Sequence, residues 1–349
     1  MKERWKKFLL DAGAEMDNGR VLHFGNPERE LRVATTGNVL SDLNHLGLIS
    51  AHGADAATFL QGQLTCDIRD VTDDSSLLGA SCSHKGRVLT LFRLFRRGDG
   101  YYLQCAAELV EETLKRLRKY VLMSKVTLED AGSAMVRFGY LGPEADRHLS
   151  ELLGKVPEEV GSVIQTPDLL VVRLPGTQPR FEIAGSLEPA CKLWESLNAW
   201  AAPVGAEAWR LQSILAGVPE VYAATSELFV PQMLNLQVLQ GISFIKGCYT
   251  GQEVVARSEY LGKQKRRMFR AFAPAADRPD PGTDLYAPGS QSGQGPGKVV
   301  DAALAQGGGY EMLVVAELAA VEAGGMRLGD AEGPELEFRE LPYALPEKA

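Results

Sequence analysis

The chain has 349 residues, which suggests about two or three domains. Its 45% hydrophobic and 23% charged content is that of a globular protein with ample material for a core, so neither disulfides nor metals are needed as staples. The formal net charge of -8, from 37 basic and 45 acidic residues, argues against a dedicated nucleic-acid binder, which carries a basic footprint. It remains compatible with a small anionic ligand held by a few local cations. No apolar run approaches the roughly 18 residues needed to span a membrane.

The N-terminal stretch Met1 to Leu10 is basic, with an apolar part too short for a signal peptide and with acids that a transit peptide lacks. It reads as an amphipathic leading helix, and a cytoplasmic protein is expected. Asp55 to Leu64 reads as a short helix anchored by Phe59 and Leu60. Leu77 to Ser83 and Arg87 to Phe95 read as strands joined by the turn His84-Lys85-Gly86-Arg87, in which Gly86 can take a positive φ. Gly98-Asp99-Gly100 is a second hairpin turn before strand Tyr101 to Cys105. Leu109 to Tyr120 is a charged helix with Leu114 and Leu117 facing inward.

Further along, Val136 to Gly142 and Leu169 to Leu174 read as strands, and Glu188 to Ala201 and Ala206 to Ala216 as helices. Gly217-Val218-Pro219 ends the second helix in Gly-then-Pro order. Beyond the basic run Lys263-Gln264-Lys265-Arg266-Arg267 come short β-like runs at Met268 to Phe272, Lys298 to Ala303 and Met312 to Ala316. With their turn signals these suggest a small barrel or sandwich. The basic run reads as a solvated face at a domain boundary, with binding of phosphates or a polyglutamate tail as the alternative. The glycine-rich stretch 289–297 ends beside Lys298. It is no phosphate loop: Val299 follows the lysine, Pro296 interrupts, and no helix follows.

The five cysteines, Cys66, Cys82, Cys105, Cys191 and Cys248, are odd in number, scattered and without a C-x-x-C pair, which argues against a disulfide framework or a zinc knuckle. The histidines at 23, 45, 52, 84 and 148 form no metal-binding spacing either. Cys248 stands apart in Lys246-Gly247-Cys248-Tyr249-Thr250-Gly251-Gln252-Glu253. Thr250 to Glu253 fits a capping box before the apolar run Val254-Val255-Ala256, so a helix is expected from Gly251 with Thr250 as its N-cap. The helix dipole and nearby Lys246 would then favour the reactive thiolate. Gly247 and Gly251 would leave room for a ligand or partner to approach the backbone. The bland alternative is a buried loop cysteine. Trp209, followed by Arg210, could stack on a flat heterocycle or simply fill the core.

Several segments together resemble the YgfZ-type folate-binding family. They are Phe229-Val230-Pro231-Gln232, Asn235-Leu236-Gln237, Gly241 to Phe244, Lys246 to Glu253 and Val255-Ala256-Arg257. They also include Phe59 to Thr65, Lys85-Gly86-Arg87 with Leu91 to Phe95, Lys119 to Val126, and Leu341-Pro342-Tyr343 as a C-terminal strand. The resemblance implies an α+β, three-domain aminomethyltransferase-like fold, with two mixed α/β lobes around a central opening and a C-terminal small β-barrel. The implied division is an N-terminal extension at 1–40, lobes at 41–125 and 126–262, and the barrel at 263–349.

The same resemblance implies a folate-binding accessory protein supporting assembly or repair of iron–sulfur enzymes, including those of tRNA modification. Cys248 would be its functional thiol, with Lys246 beside it. Tetrahydrofolate or a derivative would be the cofactor, contacted by Trp209, Arg210, Lys85, Arg87, Tyr249 and Gln252. Iron–sulfur client or assembly proteins would be its partners, with no direct nucleic-acid or membrane contact. Leu46 and Leu215 replace a tryptophan and a glutamate of the family's folate pocket. A folate-dependent aminomethyl or one-carbon transferase is the alternative. Against it, Ser83 to Thr90 lacks the carboxylate that the related aminomethyltransferase uses there to handle a proton.

Overall fold

The computed structural model describes residues 2–260, 262, 264–290 and 295–345. Lys263 of the basic run and residues 291–294 of the glycine-rich stretch lie outside the described residues. The chain divides into two compact units that interleave in sequence. The first comprises residues 1–56, 69–77 and 94–212; the second comprises 57–68, 78–93 and 213–349. The division expected at 40, 125 and 262 follows chain order, and the units do not.

The first unit is organised by a six-stranded sheet. Its strands run in the order Val163–Gln165, Leu169–Leu174, Arg180–Gly185, Val136–Leu141, Val39–Asp42 and Ala202–Val204. All neighbours are antiparallel except the last pair. Alternation along Val136–Leu141 explains both faces. Val136, Phe138 and Tyr140 join a core with Trp5, Leu9, Leu193 and Trp194. Phe138 lies 5.3 Å from Trp194 and 6.1 Å from Trp5, centroid to centroid. The leading helix Lys2–Asp11 is therefore part of this core rather than an extension. Its Trp5 Nε1 donates to Asp42 at 2.8 Å, which satisfies the indole inside the protein.

The opposite face carries Arg137 and Gly139. Arg137 is fully buried and donates to the Leu46 carbonyl at 2.7 Å and to Gln104 Oε1 at 2.6 Å. Gln104 in turn donates to Glu182 at 3.0 Å. A guanidinium is tolerated at this depth because backbone and side-chain oxygens replace its water. Gly139 faces Trp209 on the helix Ala206–Leu215. A second sheet in this unit pairs Gly47–His52 with Gly100–Cys105 and Thr127–Asp130, all antiparallel. The helix Val110–Arg118 buries Leu114 and Leu117, as the sequence predicts.

In the second unit, Leu78 to Cys82 and the start of strand Val88–Arg97 form the expected hairpin, with Gly86 at φ +66°. The helix Ala56–Gln61 buries Leu60 completely. At the C-terminal end four strands run in the order Gly297–Leu304, Tyr310–Glu317, Arg266–Ala273 and Glu337–Arg339. Among the described residues this sheet is open, with Leu285–Tyr286 and Arg327–Leu328 as a separate pair, so the expected closed barrel is not formed. Leu341 to Tyr343 lies beyond the last strand instead of within it. There the Tyr343 hydroxyl donates to the Gly217 carbonyl at 2.8 Å. No helix among the described residues is long and apolar enough to cross a membrane.

Gly139 tests the packing of Trp209. A Cβ added at Gly139 would stand 2.3 Å from two atoms of the indole ring. Gly139→Ala is expected to cost about 1–3 kcal/mol through overpacking, measured as a shift of the urea unfolding midpoint with an unchanged slope.

Candidate functional site: the Cys248 loop

The loop before the helix Gln252–Tyr260 is held by polar ties rather than by its own hydrophobic content. Thr65 organises its start. The Thr65 hydroxyl donates to the Gly241 carbonyl at 2.6 Å and accepts from the Ala80 N–H at 2.9 Å, while its carbonyl accepts from Ser243 at 2.9 Å. Lys246 then turns inward. Only 5% exposed, its Nζ donates to the carbonyls of Leu64 at 2.8 Å and Cys66 at 2.7 Å and lies 5.2 Å from the Tyr249 ring. Lys246 was expected to favour a thiolate at Cys248; the structure commits its ammonium to backbone carbonyls. It is the loop's anchor.

Tyr249 is buried, and burial raises its phenol pKa, so the ring stays neutral at physiological pH. The Thr250 N–H reaches the Gly62 carbonyl at 3.3 Å. The helix starts one residue later than expected. Gly251, at φ +83°, precedes it, and the Gly251 carbonyl accepts the Val255 N–H at 3.3 Å. Glycine is required there twice over, because a Cβ would also stand 2.5 Å from the Ser83 carbonyl oxygen. Gly86, across from it, would put a Cβ 2.8 Å from Val254. The hairpin turn 83–87 and the loop thus meet backbone to backbone.

This frame leaves Cys248 outside. It is exposed, whereas Cys66, Cys82 and Cys105 are buried and Cys191 is half-buried. Space for a Cβ at Gly247 is open, so that glycine leaves room beside the thiol, as expected. Ile245 is 93% exposed, and Phe244 and Tyr260 pair edge to face at 6.0 Å. Gln232 and Asn235 of the motif tie neighbouring elements together. Gln232 Nε2 donates to the Val255 carbonyl at 2.7 Å, and Asn235, at φ +57°, donates to the Met268 carbonyl at 2.9 Å.

The chain is 33% identical to the tRNA-modifying protein YgfZ of Yersinia pestis over 317 residues, 90% of this chain and 96% of that protein. The chain belongs to the YgfZ family. A YgfZ protein from Escherichia coli is 33% identical over 88% of this chain and 94% of its own length. One from Colwellia psychrerythraea is 38% identical over 66% of this chain and 70% of its own length. Residues 15–164 match the GCVT N-terminal domain model. The aminomethyltransferase T of the Bartonella henselae glycine cleavage system has the same fold, with a TM-score of 0.74, 17% identity and coverage of 97% of this chain and 96% of its own. The aminomethyltransferase-like fold implied by the sequence is therefore the fold of this YgfZ-family chain.

The residues expected around a folate fall into different surroundings. Trp209 is only 5% exposed, and Arg180 lies over its ring at 4.1 Å from the centroid. It packs as a core tryptophan already covered by a cation. Leu46, where the resemblance implies a tryptophan, serves through its carbonyl, which accepts from Arg137. Lys85, Arg87, Tyr249 and Gln252 share the second unit with Cys248 and Lys246. Arg87 donates to the Leu228 carbonyl at 2.6 Å and, with Lys85, borders a cavity of about 470 Å³. Glu227, Arg266 and Lys298 border the same cavity, and nothing in their sequence spacing marked them as a group.

Two measurements check the loop. In the native protein a thiol reagent should modify Cys248 rapidly and Cys66, Cys82 and Cys105 only after unfolding. Cys248→Ser should abolish the fast phase. Lys246→Met should cost roughly 1–3 kcal/mol in unfolding free energy, because two buried carbonyls lose their donor.

Proposed function

We propose that the chain is a folate-binding accessory protein of tRNA modification, with Cys248 as its functional thiol, supporting the iron–sulfur enzymes that carry out such modifications. The relatives' name, tRNA-modifying protein, supports the process. Membership of a fold family that includes an aminomethyltransferase supports the folate. The single observation that carries the thiol is its exposure on a loop whose Lys246 and Tyr249 are buried, Lys246 being tied to two backbone carbonyls. A cysteine kept only for packing would sit inside with Cys66 and Cys82.

Ile245, three residues before the thiol and exposed, favours action on a protein partner, because an aliphatic side chain left in water gains by being covered. The folate contacts that the resemblance implies are Trp209 and Arg210 in the first unit and Lys85, Arg87, Tyr249 and Gln252 in the second. Any stacking on Trp209 has to displace or join Arg180. The one-carbon transferase reading has less support, because no carboxylate stands between Ser83 and Thr90 to handle the proton.

The two halves are tested separately. In a strain lacking the endogenous gene, Cys248→Ala is expected to leave iron–sulfur enzyme activity and tRNA thiolation at the level of the empty vector. Full restoration by this variant would end the thiol proposal. A calorimetric titration with tetrahydrofolate is expected to saturate at one site per chain, and a flat titration would remove the folate.

A further inference from the structure

The cavity beside the 83–87 turn lies within the second unit and is walled by four cations, one acid and an apolar floor: Lys85, Arg87, Arg266 and Lys298, then Glu227, then Leu228, Phe229, Met233 and Val315. Two structural facts bring the cations together. The segment after Ser226 pairs with the hairpin, since Val88 N–H donates to Phe229 at 2.8 Å and Glu227 N–H to Val88 at 2.8 Å. That pairing lays Lys85 and Arg87 beside Glu227 to Phe229. Strand register does the rest. Lys298 stands opposite Val315, and Arg266 stands opposite Glu317, two residues further on the same strand. By the two-residue alternation of a sheet, Arg266, Lys298 and Val315 then share one face at one end of the sheet. The other face, with Ala271, Val299, Met312 and Val314, belongs to the C-terminal core.

The charges are unequally compensated. Lys298 pairs with Asp284 at 2.6 Å and Arg266 with Glu317 at 2.9 Å. Among the described residues neither Lys85 nor Arg87 pairs with a carboxylate, and Arg87's bond is to a carbonyl. An anion entering the cavity therefore meets two uncompensated cations and two that each share one acid. Those cations approach from three separate elements. A planar carboxylate is served by a single guanidinium fork, whereas the terminal oxygens of a tetrahedral phosphate accept from several directions and from lysine point charges. At about 470 Å³ the cavity also exceeds what one phosphate fills and lies within the usual size of a small-molecule site. Its apolar floor calls for an organic body.

We propose that this cavity binds a small phosphate ester of about nucleotide size, with the phosphate between Lys85, Arg87, Arg266 and Lys298 and the organic body against Leu228, Phe229 and Met233. The proposal rests neither on the thiol nor on folate, although Lys85 and Arg87 are also expected folate contacts, and its test uses neither. Adenosine diphosphate, inorganic pyrophosphate and citrate are titrated calorimetrically into the full-length protein at fixed ionic strength. Saturable one-to-one binding is expected for both phosphates, tighter for the diphosphate that has an organic body, with citrate weaker. Lys298→Ala and Arg266→Gln are each expected to weaken the diphosphate roughly tenfold, the scale of one lost charge-assisted contact, while Lys298→Arg retains it. Thermal melting of each variant with and without ligand separates lost binding from lost folding. Flat titrations with both phosphates, equal affinity in the folded alanine and glutamine variants, or citrate matching pyrophosphate would each overturn the proposal. So would a transfer RNA that competes far better per phosphate than the diphosphate, because the site would then read a polymer.

Discussion

A buried ammonium fixes the loop that carries Cys248. Lys246 ends in two backbone carbonyls, those of Leu64 and Cys66, instead of in water. Each charge-assisted bond of this kind contributes about 1.5–3 kcal/mol, and both are needed to offset the desolvation of the charge. The tie draws residues 246–249 down onto the turn after the Ala56–Gln61 helix. With Tyr249 buried beneath it, Cys248 has only the outward direction left. The chain thus presents a thiol between a buried Lys246 and a buried Tyr249.

Close backbone approach completes the frame. Gly251 against the Ser83 carbonyl, and Gly86 against Val254, let the hairpin turn and the helix start touch where any side chain would separate them. The same turn carries Lys85 and Arg87, so the constraint that positions the thiol loop also places those cations beside Glu227 to Phe229. In the first unit Gly139 plays a comparable part. Its missing side chain admits Trp209, which Arg180 covers at 4.1 Å. Arg137 and Glu182 are held on the same sheet face through Gln104.

Local pattern made much of this legible. The hairpin at 83–87, the helices at 110–118 and 206–215, and the three strands after residue 266 follow from alternation, helical spacing and glycine turns. The helix Pro27–Thr36 went unread although it carries a signal, with Asn26 accepting the Arg29 N–H and proline at its first turn. Strand Arg180–Gly185 escaped for another reason. Its charged residues are buried, Arg180 over an indole and Glu182 against Gln104, so its pattern looks like that of a surface. The capping box at Thr250 failed by one residue, because the positive φ of Gly251 and the contact with Ser83 decide where the helix starts.

By itself the sequence determined that the chain has enough apolar material for a core without needing staples, that it has the family's segments in order, and that Cys248 is the cysteine to watch. These follow from composition and from short motifs whose meaning is local. Tertiary structure decided what each charged or aromatic group does. It tied Lys246 to two backbone carbonyls, laid Arg180 over Trp209, left the C-terminal strands as an open sheet among the described residues, and gathered Lys85, Arg87, Arg266 and Lys298 around one cavity. The physical reason is the same each time. A polar side chain's role is set by which distant backbone oxygen, ring or charge replaces its water, and spacing along the chain does not encode that partner.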